Sequence, residues 1–284
     1  PKRNQALQAD QYVPRRISLY VPLPFRFGKG AGVTDAGIVR SIEEVTYPND
    51  EAAIAALRRG EVDVLDRIPP WQIPALQSQP ELQVGTYRLP TVHVLIPNAQ
   101  VPFVNKREFR RALAYGIDRE RIVKEILAAG KSLPGFVALS GPFPAGVSQS
   151  DPVRYGYNNQ VKPRSYDPRL AALLATVAWN SLNKPAEKSK SETALVEESP
   201  PPPPMPTVRL AHPADSIART TCQAIKQQLV AIGIPIELVE ISADTNEDGY
   251  ELRYAELAVW EPLVDANLVL GLNGISGTTT DYMI

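Results

Sequence analysis

The side chains in this chain that could do chemistry are few and scattered. His93 and His212 stand far apart, Cys222 is the single cysteine, and Glu61 and Asp63 lie two residues apart. A histidine pair needs carboxylates converging on it before it can hold a metal or move a proton. The spacing supplies no such cluster, so both are expected to be ordinary histidines in or beside strands. Cys222 falls inside an apolar-periodic stretch and reads as a small buried apolar residue. Glu61 and Asp63 would share one face of a strand, where a solvated edge explains them better than acid–base catalysis. No glycine-rich phosphate loop, G-x-S-x-G or H-E-x-x-H occurs. No catalytic residue, metal ligand or cofactor is therefore expected. The one constellation expected to face a ligand is Trp260 with Glu261 and Asp265. A core tryptophan at a strand end remains an open reading of Trp260. Trp71 and Trp179 are read as packing residues.

The elements that must position these residues follow from hydrophobic periodicity and capping signals. Residues 37–47 and 61–68 read as strands, and 49–60 as a helix capped by Asn49 or Asp50 and stopped at Gly60. Residues 69–78 suggest a short helix or turn, and 82–89 and 91–98 two more strands. In VPFVNKREFRRALAYGIDRERIVKEIL, residues 101–127, Asn105 and Glu108 form an expected capping box with Val104 and Phe109 as its staple. Asp118 starts a second helix that runs towards Gly130. A proline- and glycine-rich loop is expected over 130–165, then a helix capped by Asp167 with Pro168 at its first position. Residues 180–206, with mixed charge and a run of prolines, have the composition of a disordered or polyproline surface insertion. A strand at 207–212, a helix at 215–233 and a strand at 234–241 predict a parallel pair with a right-handed crossover. A last strand is expected at 250–260.

Composition bounds the partners. Thirty basic against 31 acidic residues leave no overall field for nucleic acid or an anionic membrane, and the 44% hydrophobic and 21% charged shares suit a globular core. The arginines at 107–111 read as a solvated helix face. One cysteine excludes an intrachain disulfide but does not fix the compartment. The 28 prolines are about twice the usual share. The first residues resemble no signal peptide and include no initiating methionine, so a piece of a longer chain is the expectation.

In order, these features resemble the extracellular solute-binding proteins of the oligopeptide and dipeptide ABC importers, family 5. The stretches that carry the resemblance are NDEAAIAALRRGEVDVLDRIPP, VHVLIPNAQVPFVNKREFRRALAYGIDRERIVKEIL, RSYDPRLAALLATVAW, RTTCQAIKQQLVAIGIPIELVEI and YELRYAELAVWEPLVDA. Together they span roughly residues 35–270. The resemblance implies an α/β fold of the type II periplasmic-binding-protein kind, two-lobed, with mixed sheets flanked by helices and the N-terminal part of the first lobe absent. Residues 1–97 would then be the tail of lobe one, and 98–284 most of lobe two. It further implies a monomer, periplasmic or extracellular, that closes on a peptide or similar small solute and delivers it to an ABC permease in the membrane, with no nucleic-acid partner. The alternative is a ligand-sensing lobe of a regulatory protein, told apart by what precedes residue 1. Peptide-binding members carry an aspartate shortly after the lobe-two tryptophan, where it pairs with the ligand's terminal ammonium. Trp260 matches that tryptophan, but Leu263 stands at the aspartate's place and Asp265 lies two positions on. Asn98, in the strand–Asn–Pro-Phe run, completes the expected ligand-binding set.

Overall fold

The computed structural model describes residues 15–17, 42–85, 89–131, 136–146, 148–183, 203–241 and 249–270. By compactness the chain divides into two units, Pro1–Ile68 and Pro69–Ile284. In the first, β1 (Arg15–Ile17) pairs antiparallel with β2 (Ile42–Glu44), with Arg16 opposite Glu43. Helix α1 (Asp50–Arg58) starts as its cap predicts, with the Asn49 side chain accepting from the Ala52 amide at 2.8 Å. Ile54 and Ala56 are buried, and Gly60 stops the helix at φ +71°. Just beyond, Arg59 and Glu61 form an exposed ion pair. The strand expected over 61–68 is not formed, and Val64 is exposed. Alternation marks a segment that could half-bury a face; without a partner ladder it stays a loop.

The second unit is organised around a mixed sheet. A single turn of 3₁₀ helix at Pro70–Gln72 leads into α2 (Ile73–Gln77). The strand expected at 82–89 is absent over 82–85 and 89, and the residues between lie outside the described ones. β3 (Thr91–Pro97) forms one edge of the sheet. Its hydrogen bonds tie residues 91–97 to β6 within the second unit.

Next come α3 (Pro102–Asn105), α4 (Arg107–Gly116) and α5 (Arg119–Ile122). The capping box at Asn105 is not made. Pro102 starts helical structure a turn earlier than expected, so Asn105 ends α3 instead of opening α4. Its side chain instead donates to the Ala99 carbonyl at 3.1 Å and accepts from Arg110 at 3.0 Å. Asp118 does cap α5, accepting from the Arg121 amide at 3.0 Å, and a π-helical turn at Val123–Leu127 carries on to Gly130. In α6 (Pro168–Leu182) the Asp167 cap and leading proline appear as expected; most of the proline-rich insertion, residues 184–202, lies outside the described ones.

β4 (Val208–Pro213), α7 (Ser216–Ala231) and β5 (Ile236–Ile241) form the expected parallel crossover unit. β6 (Leu252–Ala258) sits between β4 and β3, parallel to the first and antiparallel to the second, which gives the order β3-β6-β4-β5. A helix not expected from the sequence, α8 (Pro262–Leu270), follows. The core lies between sheet and helices. Phe109 of α4 meets Phe103 with ring centroids 4.3 Å apart, and Phe103 meets Trp179 edge-on at 5.3 Å. Leu210, Leu229, Leu252 and Cys222 are fully enclosed beside them.

One polar tie fastens the sheet at the start of β6. Glu251, its side chain 18% exposed, pairs with Arg209 at 2.8 Å and accepts from the Arg209 amide at 2.7 Å. Burial pushes the Glu251 carboxyl up, but its hydrogen bonds from Arg209 outweigh that and hold it below the ordinary value. A depressed folded value adds stability above the unfolded carboxyl's pKa, about 4.3, which is lost as pH falls through the folded value. Because Arg209 is 43% exposed, screening limits the gain. Glu251→Gln is therefore expected to cost about 1 kcal/mol at pH 7 and almost nothing near pH 2. Urea unfolding at the two pH values checks this, and an equal cost at both would refute it.

Candidate functional site

The expected ligand-facing residues sit where β6 leaves the sheet. The strand ends on Ala258, and the next residue, Val259, is fully buried, its amide donating to the Pro90 carbonyl at 2.8 Å. That anchor turns the next residue outwards: Trp260 is 63% exposed and is not a core residue. Glu261 precedes Pro262, which opens α8 at the position where a missing N–H costs least. Leu263 and Val264 on the first turn are 78% and 72% exposed. Trp260, Leu263 and Val264 thus leave a concentration of apolar surface at one helix start, an unusual place for it without a partner.

The two carboxylates are built into that start. Asp265 accepts the Glu261 amide at 3.0 Å through Oδ2, and its own amide donates to the Glu261 carbonyl at 2.8 Å. The Leu263 amide is shared between the Tyr155 hydroxyl at 3.1 Å and Glu261 Oε1 at 3.4 Å. Both acids lie at the N-terminal end of α8. Asp265 Oδ1 and Glu261 Oε2 make no hydrogen bond among the described residues. The arrangement offers an exposed Trp260 followed in the chain by two carboxylates, each with an oxygen left for a cationic or donor-rich group. It contains no nucleophile with a base.

Residues passed over in the sequence hold this corner in place. A 3₁₀ turn, Arg154–Gly156, lies in the loop expected only as proline- and glycine-rich. Tyr155 supplies the hydroxyl just described. Gly156 packs so closely on Pro262 that a Cβ built on it would lie 2.6 Å from the proline Cβ. The only signal in sequence was the aromatic–glycine run RYGY in an otherwise weakly patterned loop.

Asn98 is not brought to this corner. It follows β3 at the end where Pro97 faces Leu252, whereas Trp260 follows the end where Ala258 faces Thr91. At about 3.3 Å per residue the two ends are about 20 Å apart. The Asn98 side chain donates to the Tyr250 carbonyl at 3.1 Å and accepts the Gln100 amide at 3.0 Å, and its backbone amide donates to the Glu251 carbonyl at 2.8 Å. These bonds fasten the end of the strand.

The remaining chemical candidates sit in structural roles. His212 is buried and its Nδ1 lies 2.8 Å from the Pro213 carbonyl, while His93 hydrogen-bonds the Tyr254 hydroxyl. Burial pushes the Tyr254 phenol up, and the same cause, with the nearby Asp215 charge, raises the Cys222 thiol to about 12. Among the described residues no group of histidine, cysteine and acidic side chains could hold a metal ion, and no helix is long and apolar enough to cross a membrane.

The family model for bacterial extracellular solute-binding proteins, family 5 Middle, matches residues 35–274. The probable D,D-dipeptide-binding periplasmic protein DdpA of Escherichia coli (strain K12) is 30% identical over 105 residues, covering 36% of this chain and 19% of that protein. Among solved structures, the periplasmic binding protein DppA from Helicobacter pylori, in complex with the peptide STSA, superposes with a TM-score of 0.60 at 19% identity, covering 80% of this chain and 38% of that one. The oligopeptide-binding protein AppA from Bacillus subtilis, in complex with a nonapeptide, does so with a TM-score of 0.58 at 15% identity, covering 78% and 41%. These likenesses show the α/β fold of periplasmic binding proteins. The chain spans about two-fifths of the length of either solved structure.

Proposed function

This chain belongs to the bacterial extracellular solute-binding proteins, family 5, and from that premise we propose that it carries part of the binding lobe of a peptide-importing ABC system. The cargo is a short peptide or a solute of similar build. The exposed corner at Trp260 supports this reading most directly, because an uncovered indole followed by two carboxylates at a helix start is what a ligand's amine and first side chain would meet. Trp260 stacks on the cargo. Asp265, still with one unbonded oxygen, takes the ammonium together with Glu261, while Leu263 and Val264 contact its first side chain. Asn98 keeps the strand end in order and does not touch the ligand. Delivery to a membrane permease, a periplasmic or extracellular site of action, a monomeric state and the lack of any reaction of its own belong to the same reading.

Intrinsic fluorescence tests it. Titration with short peptides is expected to shift the emission of Trp260, and Trp260→Ala removes the shift. Asp265→Asn weakens binding about tenfold or more, as loss of a charge-assisted hydrogen bond requires. N-acetylated peptides should bind wild type and Asp265→Asn equally. No response to any short peptide, with the chain folded by circular dichroism, would sink the peptide reading.

A further inference from the structure

One side chain ties together the two stems of the long loop that joins the π-helical turn to α6. Arg119, the first residue of α5, is half-buried, and its guanidinium donates to the Leu139 carbonyl at 2.9 Å and to the Arg164 carbonyl at 2.7 Å. Those carbonyls belong to opposite stems. The base of the clamp is itself fixed: the Asp118 amide donates to Gln228 Oε1 of α7 at 2.7 Å, and Ile117 and Ile122 are buried on either side. Burial disfavours the charged guanidinium and the nearby Arg164 charge adds to this, with the Glu120 charge opposing. Among the described residues Arg119 forms no ion pair. The two carbonyl bonds are thus what its donors gain in exchange for water, and a planar fork reaches both where a single ammonium would not.

The stems differ in how else they are held. At the second, Arg164 donates to the Tyr115 hydroxyl at 3.2 Å, and the Asp167 amide donates to the Tyr115 carbonyl at 2.9 Å. At the first, among the described residues of 136–146, the Arg119 bond is the one hydrogen bond to an element outside the loop; the Ser140 amide donates to the Tyr157 hydroxyl, within it, at 3.3 Å. That first stem is also the wall on which the 3₁₀ turn Arg154–Gly156 rests. A Cβ on Gly146 would lie 3.1 Å from those of Arg154 and Asp151, and one on Gly156 would lie 3.5 Å from that of Phe143. The turn in its turn holds the start of α8 through Tyr155 and Gly156.

We propose that Arg119 is a positioning residue for the ligand corner. By clamping the first stem to the second it sets where the 3₁₀ turn sits. Through Tyr155 and Gly156 it then sets the start of α8, which follows Trp260 and Glu261 and carries Asp265. It touches no ligand itself. Its effect on affinity rests on the reading of that corner as the place where the peptide is held. Its effect on the corner rests on geometry alone, and the experiment keeps the two apart.

Calorimetry on the whole chain with tetra-alanine compares wild type, Arg119→Met, Arg119→Lys, Gly156→Ala and the Arg119→Met/Gly156→Ala pair. Arg121→Gln is the charge control, since Arg121 makes an exposed ion pair with Glu125 one turn on. Arg119→Met is expected to weaken binding about tenfold, the effect of a displacement of about an ångström. Arg119→Lys, which keeps one of the two bonds, should recover part of the loss, and Arg121→Gln should bind as wild type does. In the Gly156→Ala background, where the turn is already displaced, Arg119→Met should cost less than about twofold, because the two changes act on one element. In parallel, the Leu263 amide resonance is expected to move in Arg119→Met and to stay in Arg121→Gln, with the Ala218 and Cys222 amides of α7 unmoved in both. Unchanged affinity in Arg119→Met, or the full loss repeated on top of Gly156→Ala, overturns the proposal. Should wild type itself bind no tetra-alanine, the peptide reading loses support and the resonance alone decides: a Leu263 amide that moves keeps the clamp, and one that stays overturns it. Where Arg119→Met does not fold by circular dichroism, Arg119→Lys carries the same comparisons.

Discussion

Phe109→Ala is expected to lower the unfolding free energy by about 3–5 kcal/mol, the range for removing an aromatic ring from a closed core. Phe109 has no exposed surface and faces Phe103, which in turn abuts Trp179. The Phe109 ring thus packs α4 on α3, whose Phe103 reaches on to α6, and its loss leaves a cavity that helices anchored at both ends cannot collapse to fill. Typical domain stabilities are about 5–15 kcal/mol, so the variant should be marginal. Urea unfolding followed by circular dichroism gives the value, and Phe109→Leu, at about 1–2 kcal/mol, gives a folded comparison. A loss below about 1 kcal/mol for the alanine variant would mean that the three rings do not form one packed unit.

The second large effect is on binding. Gly156→Ala places a methyl 2.6 Å from the Pro262 Cβ and 2.9 Å from its Cγ, against an ordinary contact of 3.4–4 Å. The proline ring is stiff and opens α8, so the overlap cannot be relieved by a rotamer change. Either the turn or the helix start must move by about an ångström, a displacement able to cost tenfold to a hundredfold where alignment matters. Peptide affinity is expected to fall by that factor with only a small change in melting temperature. Tyr155→Phe, which removes one acceptor for the Leu263 amide and keeps the ring, should cost less. Unchanged affinity in Gly156→Ala would show that the Trp260 corner is not where the ligand is held.

The parts of the fold legible in sequence were those where capping and periodicity agree. Asp215, the apolar positions of α7 and Gly233 bracket the crossover helix, and a strand, helix and strand in that order predict the parallel pair. Asp118 and Asp167 announced their helices for the same reason. Asn105 misled because its residue type satisfies a cap on paper while Pro102, three residues earlier, had already begun a helix. The alternation in 61–68 misled because pairing is a tertiary property. Helix α8 gave no signal: exposed Leu263 and Val264 put apolar residues on its solvent side, so no amphipathic pattern marks it.

That failure is informative, since local rules break where a surface is kept for a partner. Trp260, Glu261 and Asp265 could be singled out by type and adjacency, and Glu261 and Asp265 hydrogen-bond each other at the start of α8. Asn98 rested on its place in an order of motifs, which carries no distance, and β3 sets it about 20 Å away. Tyr155 and Gly156 were out of reach for a different reason: their roles depend on contacts with residues more than a hundred positions later.

Cys222 lies wholly enclosed against the sheet, its thiol held protonated by burial. The thiolate, the species that attacks disulfides and is oxidised by peroxide, is scarce and shielded there. With no second cysteine in the chain, neither an internal bridge nor a covalent link between two folded copies can form through it. The fold is consequently indifferent to the redox poise of its surroundings, keeping the same covalent structure in a reducing or an oxidising compartment.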